Sequence, residues 1–374
     1  MRVFKYAAWI MVVLAVTGIG VQAATTWNED VSAGAAWSTA GNWSAGVPDA
    51  ADEVIFTNTQ TTTYDVDVDV DADVAKFYAT QGYTLNGTGS ITANRNDGGG
   101  LNQTLVYDGT SGALTFDVPV DVQQDGAGYA EAYVRYGGGS LIFNDAVSMV
   151  GSGNDSLNLS GLGTIEFKGN IDLGSGTFRA GKDGLTVTIG GSGTSAAASH
   201  WIFARAVDFN LNRTDAYDTT DSYLYMEKSM LNLGADNAIA SGTDVRLKAS
   251  GGTGGITAQG YDQEFGWLDV DEDYDFDLND SDSVWTFAES SGQAWNTAAA
   301  LYITNAAQST IRFALDGSDG LSDSQIGQIV LDGETMAPGD TWTEGNYLYL
   351  VPEPATFGML LIAGSALLIR RRIG

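Results

Sequence analysis

Three segments of this chain carry one pattern at identical offsets. Gly112-x-Leu114-x-Phe116 followed by Val120-x-Val122 recurs as Gly139-x-Leu141-x-Phe143 with Val147-x-Met149, and again as Gly163-x-Ile165-x-Phe167 with Ile171-x-Leu173. The copies begin 27 and then 24 residues apart, and a looser copy, Trp201-x-Phe203 with Val207-x-Phe209, is expected after a Gly/Ser/Ala-rich insertion. Apolar residues recur at period two, so each unit reads as two short strands joined by a turn. A unit this small cannot bury its own apolar face, but stacked copies can. The spacing predicts one turn of a right-handed parallel β-solenoid per copy. The alternative architecture is a β-sandwich of jelly-roll type, whose hairpins resemble one another through composition.

Composition supports an all-β body. The chain has 48 glycines and 5 prolines, a balance suited to many tight turns between strands that must pair without interruption. Runs such as Asp52 to Phe56, Leu141 to Phe143, Thr186 to Ile189 and Ser283 to Phe287 are rich in β-branched and aromatic residues, with Gly, Asn and Asp between them. Helical periodicity is missing from the body. There is no cysteine, so stability must come from burial, backbone hydrogen bonds and bound metal, if any.

Two acidic runs are the strongest candidate chemistry. Asp65, Asp67, Asp69, Asp71 and Asp73 alternate with valine or alanine, and Asp269, Asp271, Asp273, Asp275 and Asp277 alternate with Val270, Glu272, Tyr274 and Phe276. On a strand, each run places its carboxylates on one face at ~7 Å intervals, where like charges repel unless screened. Calcium would relieve that repulsion through several hard oxygen ligands. Neither run has the glycine turn and distal glutamate of an EF-hand loop or the nonapeptide of a calcium-binding β-roll. The plainer expectation is a solvated strand face that discourages edge aggregation.

Catalytic constellations are sparse. His200 is the only histidine, which excludes a zinc site built on paired histidines, and a cysteine nucleophile is impossible. No Gly-x-Ser-x-Gly elbow accompanies His200. Lys168, Arg179, Lys182 and Arg205 are conceivable bases for a polysaccharide lyase, yet each also reads as an ordinary surface charge.

The two ends carry targeting signals. Arg2 and Lys5 precede an apolar stretch from Tyr6 to about Val21, and small residues at Val21 and Ala23 predict signal-peptidase cleavage between Ala23 and Ala24. At the other end, Val351, Pro352, Glu353 and Pro354 lead into fifteen uncharged residues, Ala355 to Ile369, followed by Arg370, Arg371 and Arg372. As a helix that run spans ~22 Å, short for a bilayer core of ~30 Å. The arginines set its C-terminal end on the cytoplasmic side.

This C-terminal segment closely resembles the PEP-CTERM sorting signal of Gram-negative-type bacteria that produce exopolysaccharide. The resemblance covers about 24 residues and implies handling by an exosortase, membrane anchoring before processing, and delivery to the cell surface or extracellular matrix. It implies nothing about the body. Trp27 and the run Trp37-Ser38-Thr39-Ala40-Gly41-Asn42-Trp43 through Val47-Pro48-Asp49 resemble the opening segment of secreted β-solenoid passenger proteins with autotransporter-type repeats. Their tryptophans are expected to cap the open end of the core, with a sugar-stacking platform as the alternative.

The expected organisation is a signal peptide at 1–23, a Trp-rich cap and first strand at 24–56, a repeat body at 57–300, a C-terminal cap at 301–350 and the tail at 351–374. In the cap, Ser322-Asp323-Ser324-Gln325 has capping-box form and opens a short helix, Ile329 to Gly333 read as strand and turn, and Tyr347 to Leu350 as a closing strand. Removing residues 1–23 and 352–374 takes away five bases and one acid, leaving 46 acids, 12 bases and a formal charge of −34. Such a body repels nucleic acid. The expected function is a non-catalytic structural or adhesive role in the cell envelope or an exopolysaccharide matrix, with extracellular polysaccharide as a partner. A carbohydrate-binding protein, or a polysaccharide lyase or hydrolase, is the alternative. Acids, bases and aromatics gathered in one groove would favour the alternative.

Overall fold

The computed structural model describes residues 23–28, 34–57, 64–94, 102–123, 130–149, 156–174, 177–195, 202–217, 223–248, 254–279, 282–306, 309–316 and 319–350. Within them the chain winds as a parallel β-solenoid whose turns each contribute to three faces. The first face stacks Asp52–Phe56, Lys76–Ala79, Asn102–Tyr107, Ala130–Val134 and Ser156–Gly161. The second stacks Tyr64–Val68, Tyr83–Gly87, Gly112–Phe116, Gly139–Phe143 and Thr164–Phe167. The third stacks Ala72–Val74, Ile91–Asn94, Val120–Gln123, Val147–Ser148 and Ile171–Asp172.

Two longer strands, Thr177–Ile189 and Ile202–Leu211, run from the first face into the second without a break. Beyond them the first face continues as Tyr223–Glu227, Asp244–Leu247 and Leu268–Val270. The second continues as Met230–Leu233, Gly255–Ala258, Tyr274–Asp277, Leu301–Thr304 and Ile329–Leu331. The third continues as Gln263–Glu264, Val284–Phe287 and Thr310–Ala314. Parallel pairing between successive turns is what separates this fold from a sandwich, whose strands pair antiparallel.

The sequence repeat is the structural repeat. Gly112, Leu114 and Phe116 pair with Gly139, Leu141 and Phe143, and Leu141 and Phe143 pair in turn with Ile165 and Phe167. Phe116, Phe143 and Phe167 therefore form a stack, with centroids 5.3 and 5.1 Å apart and rings within 10° of parallel. Burying each such ring stabilises the fold by about 1.5–3 kcal/mol. The leading glycine of the motif is a packing requirement, because a Cβ on Gly163 would lie 2.3 Å from the Gly139 carbonyl oxygen.

Two features differ from the expectation. The regular turns hold three strands, the extra one lying on the first face, where shorter apolar sets such as Ala130, Ala132 and Val134 or Leu157 and Leu159 fill the core. The looser repeat also falls in another register. Val187 and Ile189 pair with Ile165 and Phe167, and Phe209 and Leu211 follow in the next turn, whereas Phe203 pairs with Arg179 on the first face. Where a strand runs through the corner, and its register shifts between Gly181 and Leu185, the offsets between faces no longer match those of the earlier turns.

Both ends of the core are closed. Trp27, Trp37 and Trp43 are buried, with Trp43 edge-on to both others at 4.7 Å, and all three pack over Phe56. The Trp43 indole N–H donates to the Trp37 carbonyl at 2.8 Å. These rings cover the core and offer no open face to a sugar. At the other end, parallel stacking continues beyond residue 300, and the antiparallel strands Glu334–Thr335, Trp342–Glu344 and Tyr347–Tyr349 then terminate it. The helix Asp323–Ile326 has the capping box between Ser322 and Gln325, and the buried Gln325 amide also donates to the Ser290 carbonyl of the turn beneath at 2.9 Å. Among the described residues no helix is long and apolar enough to cross a membrane.

Candidate functional site

Alternation along a strand sends every second side chain outward, and stacking lines those side chains up from turn to turn at a separation of ~4.8 Å. On the second and third faces the result is mostly short and polar. One unbroken outward column on the second face reads Asp65, Thr84, Thr115, Ile142, Glu166, Thr188, Asn210, Asn232, Thr257, Asp277 and Thr304. Within it the Asn232 amide donates to Asn210 Oδ1 at 2.8 Å. On the third face Asp121 accepts from Ser148 at 3.0 Å and from Gln123 at 2.7 Å.

The first face has a different chemistry. Its outward positions and strand ends carry Lys76, Arg135, Arg179, Arg205, Arg246 and Lys248 together with Tyr78, Tyr133, Tyr225 and Trp267. Phe203, Tyr225, Arg246 and Asp269 are successive partners in one column, and Arg205 is paired with Glu227 beside them.

The charged groups there are layered. Arg135 meets Asp108 at 2.8 Å, Arg205 meets Glu227 at 3.4 Å, and Arg246 meets Asp271 at 2.8 Å and Asp269 at 3.5 Å. In these pairs the base is the exposed member: Arg205 is 60% exposed above Glu227 at 8%, Arg135 43% above Asp108 at 10%, and Arg246 38% above Asp269 at 14%. Lys76 and Glu53, at 2.6 Å, do not share that order, the base being 18% and the acid 25% exposed.

Burial shows in the titration behaviour. Asp269 is pushed above its ordinary value by burial and then by Asp271, while Arg246 pulls it back. Tyr78 is pushed up to about 12, by burial first and then by its hydrogen bond to Asp108. Lys248 is raised by its hydrogen bond to Tyr225, over whose ring its ammonium sits at 5.9 Å from the centroid.

Neither acidic run lies on a single strand. In the first, Asp65 and Asp67 are on the second face, Asp69 and Asp71 in the corner, and Asp73 on the third face. Asp69 accepts from the Ser38 amide at 2.9 Å and from its hydroxyl, which lowers its pKa, and Asp71 accepts from the Ser90 hydroxyl at 2.9 Å. In the second, Asp269 is on the first face, Asp271 and Asp273 are in the corner, and Asp275 and Asp277 are on the second face. The expectation of five carboxylates on one strand face thus fails for both runs, because a corner falls in the middle of each. Among the described residues no three His, Asp or Glu side chains converge as a metal-holding group.

Of the remaining candidates, Lys168 pairs with Glu166 at 3.3 Å at the end of a second-face strand, far in register from Arg205. Arg179 lies opposite Asn158 on the first face. Ala23 and Ala24 open the first strand, paired with Asp52 and Glu53. His200, the Lys182 side chain, and the tail residues Val351, Pro352, Glu353, Pro354, Arg370, Arg371 and Arg372 lie outside the described residues.

The sequence reading missed Asp108, Arg135, Tyr225, Glu227, Arg246 and Lys248. Their partners lie a whole turn away in sequence, so they become legible only when the first-face strands are recognised. Comparison of the chain with family models, with curated proteins and with solved structures returns no match.

Proposed function

We propose that this chain is an exported, non-catalytic β-solenoid that serves a structural or adhesive role at the cell surface or in an exopolysaccharide matrix. In this reading a signal peptide is removed between Ala23 and Ala24, the solenoid winds right-handed as crossover connections do, and the tail from Val351 to Arg372 anchors the chain for an exosortase. The observation that carries the reading is where the tail begins. The closing strand ends at Tyr349 on a capped core, and the Pro-Glu-Pro triplet follows within three residues, the spacing expected if a finished domain is joined directly to a sorting signal.

The test is fractionation of the native host expressing either the full chain or a chain ending at Leu350. The full chain is expected in the envelope or surface fraction and the truncated chain in the medium. Equal distribution of the two, or cytoplasmic retention of both, would overturn the reading. Of the alternatives, carbohydrate binding is favoured by one observation, the layering of bases over buried acids on the first face.

A further inference from the structure

We infer that the first face, from Arg135 to Lys248, binds a linear polysaccharide bearing carboxylates, a polyuronate, laid along the solenoid axis. The inference rests on the extracellular reading above for its setting and on the geometry of the face for its chemistry.

The first argument is segregation. In a body of formal charge −34, fewer of the bases with described side chains lie outside the first face than on it. Arg213 is buried and donates to the carbonyls of Gly169 and Gly190, Arg312 stacks at 4.3 Å over Tyr347, and Lys168 pairs with Glu166. Lys228 sits at the corner where the first face ends.

The second argument is layering. Long basic side chains ordinarily carry their charge outward, and Lys168 over Glu166 shows a milder form of this order, 41% against 28%. On this face Asp108, Glu227 and Asp269 lie beneath and Arg135, Arg205 and Arg246 above. An approaching ligand therefore meets guanidinium first. Arg205 engages Glu227 through Nε, and at 60% exposure its terminal nitrogens face solvent as a fork suited to a carboxylate.

The third argument is repetition and surface type. Arg205 and Lys248 project two turns apart, roughly 9.5 Å at the strand spacing. A linear polymer parallel to the axis can meet Arg179, Arg205 and Lys248 in turn, crossing the base-free strand Tyr223–Glu227, and a compact ligand cannot. Tyr225 and Trp267 lie partly exposed among these bases and supply apolar faces for sugar rings.

The fourth is the field. Screening limits charge effects to ~8–10 Å at physiological salt, so a polymer on this face is shielded from the carboxylates of the other faces, while those beneath its own bases stay within range. Elsewhere it is repelled. A nucleic acid, with one charge per ~1.7 Å along the duplex, needs a denser basic footprint than this face carries, since its strands Ser156–Gly161 and Tyr223–Glu227 hold no base.

The experiment uses the full-length chain purified in detergent, with polygalacturonate, neutral dextran and duplex DNA as probes in titration calorimetry. Two variants are compared: R205Q/E227Q, which removes the pair without leaving a buried charge alone and keeps the net charge, and K248Q. Wild type is expected to prefer polygalacturonate to dextran by about tenfold or more, and each variant to lose about tenfold, the worth of one charge-assisted contact. Melting curves establish that the variants remain folded, and K248Q reports separately should the double variant fail to fold. Equal binding of polygalacturonate and dextran, undiminished binding by folded variants, or a preference for DNA would each overturn the inference. Surface fractionation of the same variants separates the two ideas: display without polyuronate preference sinks this one alone, and loss of display with binding intact sinks the extracellular reading.

Discussion

The two aspartate runs share one alternation, an aspartate at every second position, and have become different structures. Both place apolar residues inward, Val66, Val68, Ala72 and Val74 in one and Val270, Tyr274, Phe276 and Leu278 in the other. Both also break at a corner. The first run breaks between the second and third faces, where its carboxylates are exposed and accept from serine: Asp69 from Ser38, which holds it below its ordinary value, and Asp71 from Ser90. The second breaks between the first and second faces, where Asp269 and Asp275 are half-buried and raised by that burial, and Arg246 is the compensating base. An alternating run thus specifies what lies inside and leaves the state of each carboxylate to whichever neighbour the turns on either side supply.

The comparison breaks most easily through the core beneath the runs. Phe276→Ala removes a ring packed on Trp285 and Phe287 and is expected to cost about 3–5 kcal/mol, whereas Val66→Ala, under the first run, costs about 2 kcal/mol. Chemical denaturation of the two variants measures both, and equal losses would contradict the packing described. Next in size, Arg246→Met strands Asp269 and Asp271 and is expected to cost about 1–2 kcal/mol, since the arginine is more than a third exposed and solvent screens the pair. Ser38→Ala at the exposed Asp69 shifts the melting temperature less than Arg246→Met does. The reverse order would mean that the exposed run is the more tightly held.

Acidification sharpens the contrast through its sign. Asp269 and Asp275 have folded pKa values above the ordinary 3.8, so the fold favours their protonated forms. Their contribution is fully present below 3.8 and is lost as pH rises through the raised values. Asp69 behaves oppositely, contributing stability above 3.8 that disappears as pH falls through its lowered value. Asp275→Asn is therefore expected to stabilise the chain slightly near neutral pH and to lose that advantage in acid. Asp69→Asn is expected to destabilise it near neutrality. Melting curves across this range compare them directly, and the same sign for both variants would refute the assignment.

The smallest expected effect is that of calcium. Because a corner divides each run between two faces, adding calcium or chelator should move the melting temperature by no more than general ionic screening does. A shift of several degrees that Asp69→Asn or Asp273→Asn abolishes would instead establish a bound ion.

Legibility in the sequence varied with locality. The glycine-led repeat predicted the register of the second and third faces, since each copy is continuous and its offsets are constant from Gly112 to Leu173. The capping box at Ser322 and the closing strand at Tyr347–Tyr349 were equally readable, being set by residues a few positions apart. The looser copy at Trp201 misled, because Ile202–Leu211 passes through a corner that earlier turns make with a glycine. The layered pairs Arg205 with Glu227 and Arg246 with Asp269 left no sequence mark, since their partners lie one turn away across segments of differing length.

By itself, the sequence determined which residues face inward, that the strands are short and stacked, and where the ends are capped; these follow from alternation and close approach, which neighbouring residues settle among themselves. Only the tertiary structure decided which outward residues meet, and so that the bases gather on one face over less exposed acids. Lateral neighbours are separated by a whole turn of the solenoid, and their alignment depends on how every intervening corner bends the chain.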